Sequence, residues 1–78
     1  MKPEEISRRI MEALEGAVAT TTDMTGTGNH FDVVVEAPVF SGLSSLARHQ
    51  RIYALFRDEL ATERIHALKL ETRAPGES

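Results

Sequence analysis

Residues 30–36, with the sequence HFDVVVE, decide the fold. Phe31, Val33 and Val35 occupy alternate positions of this run, and the positions between them are polar except for Val34. Because successive side chains of a strand point to opposite faces, the alternation predicts a strand with one apolar and one mostly polar face. A mostly polar second face favours a sheet that helices cover on one side only.

The sequence on both sides of this strand supplies the other elements of the domain. Pro3 and the two glutamates after it suit the start of a helix, and Gly16 suits its end. Pro38 ends the central strand because proline cannot donate to a sheet ladder. The predicted elements are a helix at residues 3–15, a weak strand at 17–22, a loop at 23–29, helical sequence from the turn at 39–42 to about residue 61, and a strand at 65–72.

These elements follow the order α-β-β-α-α-β, which predicts an α+β fold. The first two strands should form a hairpin, and the last strand, which returns after a helical crossover, should pair parallel with a neighbour. The result is a three-stranded mixed sheet with helices on one face. The chain of 78 residues is long enough for one domain, expected at residues 1–73, with a flexible polar tail at 74–78.

The composition excludes several classes of protein. The sequence has no cysteine, which removes disulfide scaffolds, cysteine-based zinc sites and thiol nucleophiles. No apolar run approaches the length of a membrane span, and the first residues lack the apolar stretch that is typical of a signal peptide, so we expect a cytoplasmic protein that does not associate with membranes. The net charge is −3, with an acidic first half and a mildly basic segment at residues 40–70, which leaves room for one basic patch.

The histidines are the main candidates for chemistry, because no serine lies in a hydrolase motif and the glycine-containing loop lacks the lysine and helix of a P-loop. His30 begins the central strand on its polar face, where it could be solvated, a ligand, or hydrogen-bonded to the loop. His66 begins the last strand, either as a structural residue or as a ligand with one ring nitrogen open. His49 falls on the apolar face of the long helix, where we expect a packed, hydrogen-bonded core residue. No two histidines have metal-ligand spacing, so the sequence by itself predicts no self-contained metal site.

A helical wheel predicts which face of the long helix is buried. Arg48 and Arg51 fall on the outward face, three residues apart, and form the only compact basic pair of the sequence. They could be a solvated face or a contact for phosphate or for an acidic protein surface. The residues predicted to face the core are Leu46, Ile52, Tyr53, Phe56 and Leu60.

Between residues 28 and 72 the chain also resembles the BolA family, and is closest to its bacterial IbaG-like branch. The resemblance rests on four motifs in the family's order. They are Asn29-His30-Phe31 at the strand start, Phe40-Ser41-Gly42 at the turn, Arg48-His49-Gln50-Arg51-Ile52-Tyr53 on the helix, and Ile65-His66-Ala67 at the last strand.

The resemblance implies a class II KH-like fold and a non-enzymatic role in iron–sulfur trafficking or iron sensing. In that role the protein pairs with a monothiol glutaredoxin and shares a bridging [2Fe–2S] cluster, whose other ligands are a glutaredoxin cysteine and partner-bound glutathione. The family's C-terminal histidine ligand falls on His66. Many members carry a second His or Cys in the loop between the first two strands, but residues 23–29 hold neither, so His30 is the nearest candidate for a second metal ligand.

The resemblance also implies an alternative function, a DNA-binding regulator of the stress response. The helix–turn–helix-like stretch at residues 43–61 would then present Arg48 and Arg51 to DNA. Two arginines on a chain of negative net charge predict weak, salt-sensitive binding.

Overall fold

The computed structural model describes residues 1–77 and has the predicted order of elements. A short 3-10 turn at Pro38–Phe40 comes in addition to the predicted elements. The helices and strands are α1 at Pro3–Ala13, β1 at Val18–Asp23, β2 at His30–Glu36, α2 at Ser45–Leu55, α3 at Arg57–Ala61 and β3 at Ala67–Arg73. The α-β-β-α-α-β prediction is therefore confirmed, and β2 has the bounds that its alternating sequence predicted.

The three strands form one mixed sheet in the order β1-β2-β3. β1 and β2 are antiparallel, as expected of a hairpin. β2 and β3 are parallel and in a register that pairs His30 with Ala67 and Glu36 with Arg73. Because β2 is the central strand, its two ends determine which loops and side chains meet at each end of the sheet.

The core lies between the helices and one face of the sheet. Phe31, Val33 and Val35 of β2 are fully buried, whereas the alternate residues of this strand are only half-buried. The helices contribute Ile6 and Ile10 from α1 and Ile52 from α2, and Phe40 and Phe56 fill the spaces between elements. The prediction of a sheet covered on one face is confirmed. Within residues 1–77, no helix is long and apolar enough to cross a membrane.

Helix α1 begins as predicted but ends two residues early. Pro3 lies in its first turn with Glu4 and Glu5, where carboxylates are favoured by the helix dipole. The chain leaves the helix at Leu14, which has an extended backbone, and turns at Gly16 with a φ of +73°. The glycine therefore serves the turn into β1 rather than the helix end itself.

The second helical region divides at Phe56 into the longer α2 and the short α3. Arg9 of α1 fastens this break. Its guanidinium donates to Glu59 Oε2 at 2.9 Å and to the main-chain oxygen of Leu55, and it lies 4.6 Å from the centre of the Phe56 ring. The hydrogen bond from Arg9 lowers the pKa of the Glu59 carboxyl.

Two predictions of the helical wheel are wrong in the first turn of α2. Leu46, predicted to face the core, is 68% exposed, and Arg48, predicted to face solvent, is only 8% exposed. The physical reason is a contact between Arg48 and the residues near the end of the sequence. Arg48 is covered by residues that follow β3, and the carboxylate of Glu77 compensates its positive charge. An arginine is therefore tolerated at a buried position of the helix.

Residues 74–77, which the sequence predicted to belong to a flexible polar tail, make contacts with the domain. Ala74 is buried, and its N–H donates to Glu77 Oε1 at 3.0 Å. The Glu77 carboxylate in turn binds Arg48. These residues pack against the domain because one carboxylate satisfies both a main-chain donor and a buried cation. Ser78, the last residue of the predicted tail, lies outside the described residues.

Candidate functional site

His30 and His66 lie side by side at one end of the sheet. Their ring centres are 5.6 Å apart and the ring planes are inclined at 59°. The parallel pairing of β2 and β3 explains this, because both strands begin at the same end of the sheet and His30 pairs with Ala67, the residue after His66. The structure thus brings together the two residues that the family resemblance indicated as metal ligands.

Asn29 contacts both histidines. Its side-chain Oδ1 lies 2.7 Å from His30 Nδ1, and its main-chain oxygen accepts the N–H of His66 at 2.7 Å and of Ala67 at 3.2 Å. Asn29 is not among the site residues predicted from the sequence, where it appears only as part of a motif. Its position directly before a histidine at a strand start was the available signal.

The loop before Asn29 is held by Asp23. One carboxylate oxygen accepts the N–H groups of Thr25 and Gly26, and the other accepts the N–H of Gly28 at 2.9 Å. Both glycines have positive φ, which lets the main chain curl around the carboxylate. The side chain of Asp23 is thus engaged within the loop, which it holds beside the two histidines.

The separation of the two rings suits a shared metal ion. With metal–nitrogen bonds of about 2.0–2.1 Å, two imidazoles on one ion at open tetrahedral angles have ring centres about 5–6 Å apart. Among residues 1–77, however, no group of three or more His, Cys, Asp or Glu side chains is placed to hold a metal. His30 is half-buried and His66 is exposed, so the pair could supply two nitrogen ligands to a site that another molecule completes.

His49 lies elsewhere and is not the core residue that the sequence predicted. It is half-buried, and its ring packs edge-on against Tyr53 with the centres 6.5 Å apart. Tyr53 is itself partly exposed and donates its hydroxyl to the main-chain oxygen of Leu68.

The structure separates the predicted basic pair. Arg48 is buried against Glu77, whose hydrogen bond raises the pKa of the guanidinium, so its charge is already compensated. Arg51 is exposed, and none of the ion pairs found among residues 1–77 includes it. It lines an open cleft of about 540 Å³ beside Gly16 and Val39. The prediction of two adjacent surface arginines is therefore wrong for Arg48.

Comparison with known proteins gives consistent matches. The family model described as BolA-like protein matches residues 5–77. The chain is 30% identical over 77 residues to the acid stress protein IbaG of Escherichia coli, which covers 99% of this chain and 88% of the relative. It is 40% identical over 52 residues to the DNA-binding transcriptional regulator BolA of Haemophilus influenzae, which covers 67% of this chain and 50% of that protein.

A solved structure agrees with these matches. BolA1 from Arabidopsis thaliana superposes with a TM-score of 0.84 at 28% sequence identity, and the match covers 97% of this chain and 94% of that one. The resemblance noted in the sequence motifs thus extends over nearly the whole fold.

Proposed function

The chain belongs to the BolA-like family, and on that premise we propose that it is a non-enzymatic cytoplasmic partner of a monothiol glutaredoxin. In the proposed complex the two proteins share a bridging [2Fe–2S] cluster, to which this chain contributes His66 and, as second ligand, His30. The role of the complex is the transfer or sensing of iron–sulfur clusters.

One observation carries this proposal: two imidazoles lie 5.6 Å apart at an accessible sheet end. Imidazole nitrogen can replace thiolate on one iron of a [2Fe–2S] centre, and such replacement changes the reduction potential that the centre provides. Because the chain has no cysteine, the thiolate ligands must come from outside it. A glutaredoxin cysteine and glutathione supply such thiolates in the proposed complex.

The position of His30 supports its assignment as the second ligand. The loop at residues 23–29, where the family resemblance predicts a His or Cys, contains neither, and the Asp23 carboxylate is occupied by three main-chain N–H groups. His30 is the first residue after this loop. Its ring reaches the same end of the sheet as His66, so it takes the place of a loop ligand without any change in the fold.

The test is a titration of this protein into cluster-loaded monothiol glutaredoxin, followed by visible circular dichroism. We expect a new spectrum that saturates near one equivalent, and we expect His66→Ala to abolish the change. His49→Ala is the matched control, because it removes a histidine that lies away from the pair. A wild-type spectrum identical to that of glutaredoxin alone, or a His66→Ala spectrum identical to wild type, would contradict the proposal.

DNA binding remains a second candidate because the Haemophilus influenzae relative carries that function in its name. The Escherichia coli relative is named for acid stress, which fits a role in the stress response. Of the two predicted contacts, Arg51 is exposed whereas Arg48 is engaged by Glu77. For a DNA-binding protein, Arg51→Ala should weaken binding and reduce the salt slope by about 1. A gel-shift series over salt with no difference between Arg51→Ala and wild type would remove this candidate.

A further inference from the structure

We propose that Asn29 is the positioning residue of the histidine pair, and that its side chain fixes His30 in the tautomer whose Nε2 is free to bind a metal. The function of the pair as ligands rests on the proposed function. The tautomer itself does not, because it is a property of the protein alone.

The tautomer follows from the chemistry of the contact. An amide oxygen carries no hydrogen and can only accept, so the 2.7 Å contact between Asn29 Oδ1 and His30 Nδ1 requires the proton to be on Nδ1. In the neutral ring Nε2 then has a free lone pair. The hydrogen bond made by one ring nitrogen in this way decides which nitrogen can act as the ligand.

Thr27 is the second hydrogen-bond partner of the Asn29 side-chain oxygen. Its hydroxyl donates to the same Oδ1 at 2.5 Å, and the Thr25 hydroxyl lies 2.6 Å from Thr27 Oγ1. If the amide turned over, its NH₂ group would face His30 Nδ1 and favour the opposite tautomer. In the observed orientation, Thr27 Oγ1 and His30 Nδ1 share the same acceptor, Asn29 Oδ1.

The main-chain oxygen of Asn29 positions His66, independently of the Asn29 side chain. Its carbonyl accepts two N–H groups, from His66 and Ala67, and so fixes the point at which β3 begins beside β2. A side-chain substitution at Asn29 leaves this carbonyl in place. The effect on the His30 tautomer can therefore be measured while His66 stays where it is.

The experiment measures histidine tautomers by long-range ¹⁵N–¹H NMR correlation, on this protein without glutaredoxin, at a pH well above the titration range of histidine. In the wild type we expect the Nδ1–H tautomer for His30. Asn29→Ala should convert it to the Nε2–H form, whereas Asn29→Asp should retain Nδ1–H because a carboxylate also accepts. Amide exchange protection at His66 and Ala67 should remain, which shows that β3 still begins at the same place.

A second variant covers the case in which Asn29→Ala does not fold. Thr27→Val retains Asn29 but removes the hydroxyl that donates to its amide oxygen. The amide can then turn over, so we expect the His30 ring to be a mixture of the two tautomers. A His30 that is Nε2–H in the wild type, or Nδ1–H in every folded variant, would overturn the inference. Either result leaves the glutaredoxin titration unaffected, so failure of the inference and failure of the proposed function are separate outcomes.

Discussion

Arg48 and Glu77, 29 residues apart in the chain, form a two-pronged ion pair in which Nη1 and Nη2 each donate to one carboxylate oxygen at 2.7 Å. Arg48 Nε also donates to the main-chain oxygen of Leu43 at 3.0 Å. Such paired, charge-assisted hydrogen bonds are stronger and more directional than single neutral ones. The pair fastens the residues after β3 to the first turn of α2.

The first prediction concerns the pH dependence of stability. The hydrogen bond from Arg48 lowers the pKa of the Glu77 carboxyl from 4.5 to about 2. A carboxyl with a lowered pKa stabilises the fold fully above its unfolded value and loses that contribution as pH falls through its folded value. We therefore expect Glu77→Gln to be less stable than wild type at neutral pH, with the difference shrinking between about pH 4.5 and 2.

Thermal unfolding followed by far-ultraviolet circular dichroism over this pH range tests the prediction. Glu71→Gln is the control, since Glu71 is exposed and lies 3.6 Å from a partner, Arg73, that is also exposed. It should change stability little at any pH. A constant difference between Glu77→Gln and wild type across the range would contradict the lowered pKa.

The second prediction compares the two arginines of α2. Arg48→Ala removes the ion pair with Glu77 and the stacking over the Phe40 ring, whose centre is 5.9 Å from the guanidinium carbon. It should lower the melting temperature clearly, because a buried group that holds two segments together is lost. Arg51→Ala removes an exposed side chain and should alter the free energy of unfolding by no more than about 0.5 kcal/mol. Equal effects of the two substitutions in urea unfolding would show that Arg48 is not a structural residue.

The sequence predicted the sheet well because a strand can be recognised from the alternation of residues within it. The alternation in HFDVVVE defines β2 to the residue, and the rule for crossovers predicts the parallel pairing of β3. The helical wheel failed at Leu46 and Arg48, since the carboxylate that makes an inward arginine acceptable comes from Glu77, at the other end of the sequence. A wheel compares only neighbours on one helix, so it could not include that partner.

Prediction of the candidate site requires both the local sequence pattern and the contacts between residues that are distant in the sequence. His30 and His66 could each be selected from the sequence because they lie at the start of a predicted strand, but their 5.6 Å separation depends on the register between β2 and β3. Strand boundaries uncertain by one or two residues would have placed the rings on different faces or at different heights. The role of Asn29 depends on the loop geometry set by Asp23, which alternation and helical periodicity do not describe.

The third prediction tests the corrected core. Ile52 is fully buried in the core, so Ile52→Ala should cost about 2–5 kcal/mol of unfolding free energy through lost burial and the cavity left behind. Leu46→Ala, on the same helix, removes a side chain that is 68% exposed and should cost no more than about 0.5 kcal/mol. Urea unfolding of both variants checks the assignment. A large loss of unfolding free energy for Leu46→Ala would mean that Leu46 faces the core, as the helical wheel predicted.

The last prediction concerns how the two histidines act together. Two ligands of one metal centre are energetically coupled, because the loss of either one leaves the other in an incomplete site, whereas two independent surface residues have additive effects. We therefore expect His30→Ala and His66→Ala each to weaken the cluster-dependent association with glutaredoxin, and the double variant to be little worse than His66→Ala. The affinities come from titration calorimetry with cluster-loaded glutaredoxin, with His49→Ala as the control. Additive losses would mean that His30 and His66 contribute separate surface contacts, and the second ligand would then have to be sought outside this pair.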